Sequence, residues 1–153
     1  MTRVQTRRSQ AGPASFETDL VREVDIVRDW VSALMARLGW RERDPTYRAM
    51  LACLHALRDC LPRDAAMHLA LALPPVLRGL YLGGWRISGR PAASRTRQGF
   101  LERIHEGVHR DPGIDPEALA LGVLALLAER LPPAELENAR AATPSALHPF
   151  WPS

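Results

Sequence analysis

A chain of 153 residues has the length of one compact domain and can bury a full core. Its hydrophobic share of 46% argues against wholesale disorder. The best apolar run, Ala118 to Ala128, is about half of the ~20 residues that a membrane span needs. Net charge is only +3, so composition is weak ground for a nucleic-acid partner, although the distribution of charge matters more. All twenty basic residues are arginine; a GC-rich bacterial genome explains that bias more cheaply than a need for bidentate pairing.

In chain order, residues 1–14 are polar and basic, with Gly12 and Pro13, and read as a frayed tail. Arg3, Arg7 and Arg8 lack the apolar segment of a secretory signal, so a cytoplasmic location is expected. Ser15 caps a first helix with Glu17 and Asp19 in its first turn, where carboxylates favour the positive end of the helix dipole. Leu20, Val24, Val27, Val31, Leu34 and Leu38 then recur at three and four, which predicts one buried face ending near Gly39. Asp44-Pro45 opens a second helix with Pro at its first position; its face is Tyr47, Met50, Leu51, Leu54, Leu57 and Leu61. Pro62 opens a third helix carrying Ala66, Leu69 and Leu73, and Pro74-Pro75 a fourth carrying Leu77 and Tyr81, closed by Gly83-Gly84.

The rest of the chain follows the same plan at an offset of seventy residues. Trp30 meets Phe100, Leu34 meets Ile104, and Leu54 and Leu57 meet Leu124 and Leu127. Leu61-Pro62 meets Leu131-Pro132, Pro74 meets Pro144, and Tyr81 meets Trp151. Amphipathic helices align easily with one another, but helix-breaking prolines in the same order do not follow from amphipathicity. No segment alternates with period two, so no sheet is expected. The predicted fold is all-α: a tandem duplication of a helical unit of about four helices per copy, packed into one bundle. The expected parts are a tail over 1–14, repeat 1 over 15–84, an Arg-rich connector over 85–97 and repeat 2 over 98–153.

The run from Ala49 to Trp85 carries Leu57, Leu61 and Pro62, followed by Leu73, Pro74, Arg78, Tyr81, Gly84 and Trp85. With Phe100, Leu101 and Ile104 at the start of a second copy, it resembles the bacterial family catalogued as domain of unknown function 2267. The resemblance covers about residue 25 to the C-terminus. It implies a helical fold of tandem repeats and supplies no catalytic residues, so function must be sought in the residues themselves.

Two constellations stand out. His105-Glu106-Gly107-Val108-His109 matches H-E-x-x-H, in which histidines four apart on a helix hold zinc and the glutamate acts as base. Glu129 and Glu135 are only candidates for the third ligand, and the buried stripe Leu101, Ile104, Val108 leaves His109 and Glu106 off the core face. A chance match on a solvated flank is the simpler reading. The second is the connector region: no acidic residue occurs from Ala65 to Leu101, while Arg78, Arg86, Arg90, Arg95 and Arg97 all do, with Tyr81 and Trp85 among them. Arginines beside aromatics suit single-stranded nucleic acid or another polyanion; equally, Tyr81 and Trp85 could pin the connector to the core. Cys53 and Cys60, seven apart on one helix, are separated by ~10.5 Å of rise, too far to bridge, and read as free buried thiols. His55 and His68 read as satisfied or exposed histidines, and no cofactor motif is present. The expected function is non-enzymatic, protein binding or self-association, with polyanion binding and a zinc hydrolase as alternatives.

Overall fold

The computed structural model describes residues 15–86 and 95–153; the expected tail and Arg90 lie outside the described residues. Seven α-helices and a 3₁₀ turn make up the described chain: α1 Phe16–Leu38, α2 Arg43–Cys60, α3 Arg63–Ala72, α4 Pro75–Leu82, α5 Arg97–Gly107, α6 Pro116–Arg130, α7 Pro133–Ala142 and the turn Ser145–Phe150. No strand occurs among the described residues, as the absence of period-two alternation predicts.

Local chemistry sets the helix ends. The Thr18 N–H donates to Ser15 Oγ at 3.0 Å, satisfying one of the N–H groups that a helix start leaves without a partner. At the other end Gly39, with φ 71°, turns left-handed and donates its N–H to Met35 O, a conformation that glycine adopts without strain. Asp115 caps α6 by accepting from the Glu117 N–H at 3.0 Å. α2 begins two residues ahead of Pro45, after Glu42 and with no side-chain cap, so Pro45 is third in the helix rather than first. The first turn has no intrahelical acceptor for its N–H groups, so proline is tolerated there equally well. The closing segment of the second half is a 3₁₀ turn with Pro149 inside it, where the sequence predicts a fourth α-helix. Proline's missing donor and a run of six residues leave no room for an α-helical ladder.

The packing is crossed between the halves. α1 lies against α2 and α6, and α5 lies against the same two; α2 and α6 also touch. α3 packs on α7, α4 fills the angle between α1, α2 and α3, and the 3₁₀ turn packs on α5 and α6. The central helix α6 is accordingly apolar on nearly all sides, burying Leu119, Ala120, Val123, Leu124, Leu126 and Leu127. Gly122 admits α1 closely: a Cβ there would sit 3.0 Å from a Leu38 methyl. Leu34, Leu54, Leu57, Ile104, Leu124 and Leu127 are fully or nearly fully buried, each worth about 1.5–3 kcal/mol of burial. Two ion pairs tie α1 to the end of α6, Arg37–Glu129 and Arg130–Asp29, each 2.8 Å.

One predicted face is corrected. Val27, Trp30, Val31 and Leu34 are buried, but Leu20 and Val24, which the same stripe places in the core, are 48% and 46% exposed. The stripe outruns its cover: α6 ends at Arg130, which pairs with Asp29 and lies 5.6 Å over the Trp30 ring. Trp40 is half-buried and packs on the core just past the end of α1.

Candidate functional site

The connector side chains have intramolecular work. Arg78 Nε donates to Ala70 O and its Nη2 to Leu73 O, both at 3.0 Å. It thereby caps the C-terminal carbonyls of α3, where a cation also complements the helix dipole. Tyr81 is fully buried and donates its hydroxyl to Ala66 O at 2.9 Å; burial pushes its phenol above the ordinary range. Trp85 is half-buried against the core. Arg95 donates to Cys60 O at 3.0 Å, at the C-terminus of α2. Arg97, the first residue of α5, pairs with Glu117 at 2.8 Å and lies 5.2 Å over the Phe150 ring. Arg86 is exposed and is the described connector arginine with no hydrogen bond or ion pair among the described residues. Arg78 and Arg95 thus cap helix ends while keeping their charge, and Arg97 is paired with a carboxylate.

The histidine motif is split by a helix end. α5 stops at Gly107, Val108 closes it, and His109 and Arg110 adopt left-handed backbone with φ 57° and 54°. His105 and His109 therefore do not share one helical face, the arrangement H-E-x-x-H requires. Glu106 is held by Arg110 at 3.3 Å, and Arg110 also pairs with Glu102. Among the described residues no group of three or more His, Cys, Asp or Glu is placed to hold a metal ion.

A different surface emerges at the other end of the molecule. The N-terminal half of α1 carries Phe16, Leu20, Val21 and Val24, all exposed, with Phe16 at 71%. Beside them runs a groove lined by Val21, Ile26, Asp29 and Arg130. Contiguous apolar surface of this kind on a charged helix is unusual for an unpartnered face. The signal is present in sequence as the stripe itself; what sequence could not show is where cover stops.

A buried polar network joins α2 to the end of α4. The Arg58 side chain is 5% exposed and donates from Nη1 to Tyr81 O and Gly83 O, both 2.8 Å, and from Nε to Asp59 Oδ1 at 2.7 Å. Asp59 Oδ2 accepts from Arg103 of α5 at 2.6 Å. His55, half-buried, donates from Nε2 to Leu80 O at 2.8 Å; desolvation, helped by the Arg58 charge, lowers its pKa against the opposing pull of that bond and of Asp59. Cys53 and Cys60 are free and buried; burial pushes Cys60 up to about 12 and Cys53 higher still, so neither is a ready thiolate. No helix among the described residues is long and apolar enough to cross a membrane. The sequence singles out neither Arg58, Asp59 nor Arg103, because the network is closed from other segments: Tyr81 O and Gly83 O at the end of α4, and Arg103 on α5.

Comparison with curated proteins finds no match. A family model described as "Uncharacterized conserved protein (DUF2267)" matches residues 27–150, from the first buried residue of α1 to the end of the 3₁₀ turn. The chain belongs to the DUF2267 family.

Proposed function

We propose that this is a non-enzymatic helical protein of the bacterial cytoplasm that acts by protein association, through a second copy or another chain, using the projecting half of α1. One observation carries this reading: the apolar stripe that α1 buries from Val27 onward continues through Val24, Leu20 and Phe16, which no other described residue covers. A free apolar helix face of this kind is the usual offering in helix-to-helix recognition. We also infer an internal duplication. In its support, α3 and α7 begin and end seventy residues apart, α2 and α6 end seventy apart, and the crossed packing pairs α1 with α6 as it pairs α5 with α2.

The test is sedimentation equilibrium over a wide concentration range, with a photo-crosslinker at Leu20 in native extract. Leu20→Asp with Val24→Asp should leave far-UV helicity intact, since both sites are exposed, and abolish association. A wild-type chain that stays monomeric and yields no crosslink specific to the unmutated face would sink the proposal. The alternative, polyanion binding through Arg86, Arg95, Arg97 and Arg90 (the last outside the described residues), would be removed by a salt-independent or absent affinity for single-stranded nucleic acid.

A further inference from the structure

We propose that the cleft between α2, α5 and the Gly83-Gly84 turn is a binding site for a small organic anion, an oxyanion head on a short apolar body. The cleft has a volume of about 570 Å³, within the range of small-molecule sites. It lies away from the α1 face and is assembled from the two halves of the chain.

Its chemistry is divided. Arg48 stands exposed on the α2 wall with no ion-pair partner among the described residues. Arg103 faces the same cleft from α5, its guanidinium held by Asp59. Asp59 offsets only one of these cations, its two oxygens being shared between Arg58 and Arg103. The other acid on the wall, Glu106, is engaged by Arg110. The balance of Arg48, Arg58 and Arg103 against Asp59 and Glu106 leaves one positive charge, and the buried ion pair beneath keeps Arg103 in place instead of letting it swing into solvent. Guanidinium groups suit carboxylate and phosphate heads, which they bind with paired N–H donors. His55 adds a complementary group: with Nε2 donating to Leu80 O, its Nδ1 is left as an acceptor for a ligand hydroxyl. Between these lie Leu51, Ala52 and Ala56, an apolar strip that an inorganic ion would leave unused.

Amide chemical-shift titration of the full chain tests this, with phenyl phosphate, hexanoate, inorganic phosphate and sodium chloride of matched ionic strength as probes. The expected result is saturable shifts at Ala52, Gly83, Gly84 and Gly107 with phenyl phosphate or hexanoate, and weaker ones with inorganic phosphate. Arg48→Gln and Arg103→Gln should each weaken binding about tenfold, while Arg86→Gln, outside the cleft, should not. Arg48 has no described internal partner, so its variant keeps the test valid if the Arg103 variant is perturbed. Overturning results are no cleft shifts at roughly 10 mM of any organic probe, shifts reproduced by sodium chloride, or equal weakening by Arg86→Gln.

Discussion

Gly107 of α5 and Ala52 of α2 meet backbone to side chain: a Cβ built on Gly107 would lie 2.8 Å from the Ala52 Cβ. Real Cβ atoms do not approach so closely, so any side chain at 107 must push the helices apart. Gly107→Ala is therefore expected to lower stability by about 1–3 kcal/mol, although alanine is the better helix former. Ala52→Gly in the same chain should return part of that loss. Urea unfolding of the single and double variants gives the coupling, and additive effects would show that the two residues do not compete for space.

Tyr81→Phe removes the donor to Ala66 O, 2.9 Å away in a fully buried setting. The ring still fills its place and Ala66 O, inside α3, keeps its intrahelical donor, so the loss should be that of one buried hydrogen bond, about 0.5–1.5 kcal/mol. Chemical denaturation measures it; an unchanged midpoint would mean that the phenol bond adds nothing to the helical bond that Ala66 O already accepts.

Arg58→Met should cost more. It strands two carbonyls, Tyr81 O and Gly83 O, and removes one of the two cations on Asp59. Breaking a buried charged network from one side costs about 3–5 kcal/mol. Arg86→Met at an exposed site should stay within about 0.5 kcal/mol. A thermal melt of the pair distinguishes a working arginine from one that merely adds to net charge.

Stability should fall on both sides of neutrality for separate reasons. The His55 pKa is lowered in the fold from 6.5, first by desolvation. The unfolded chain therefore takes up the proton first, and the stability present above about pH 6.5 is lost as pH falls toward the folded value. The thiols shift the other way: Cys60 stands at about 12 against an ordinary 9.0, and Cys53 is also raised. Their contribution is complete below pH 9.0 and is lost as pH rises above it. Denaturation midpoints across pH check both limbs: His55→Gln should flatten the acid limb, and Cys53→Ala with Cys60→Ala the alkaline one. In the native chain both thiols should resist a disulfide reagent until denaturant is added.

Much of the fold was legible because its signals are local. Ser15, Gly39, Asp115 and the prolines at 62, 74, 132 and 144 mark helix ends through their own backbone chemistry. Leu34 and Ile104, or Leu57 and Leu127, are buried as their periodicity predicts. Leu20 and Val24 were misplaced because a stripe reports which side of a helix is apolar, and the length of the covering helices is set elsewhere. Arg78, Arg95 and Arg97 were legible as charge only. Their partners are carbonyls, a ring and a carboxylate that the fold delivers from other segments. The H-E-x-x-H spacing hid a helix end because the motif's period runs straight through Gly107, and the left-handed turn falls beyond it on His109 and Arg110, residues that do not ordinarily announce one. The cleft gathers residues from 48 to 107, and no single window of sequence contains it.

The crossed packing has a consequence for how the chain is made. Arg37 finds Glu129 across a separation of 92 residues, and the face of α1 around Trp30 is closed by the end of α6. Synthesis at about 5–20 residues per second leaves that face waiting roughly 5–20 s for its cover. The first half therefore leaves the ribosome as an incomplete body, and its Trp30 surface is open to chaperones, or to another nascent copy, until the second half arrives.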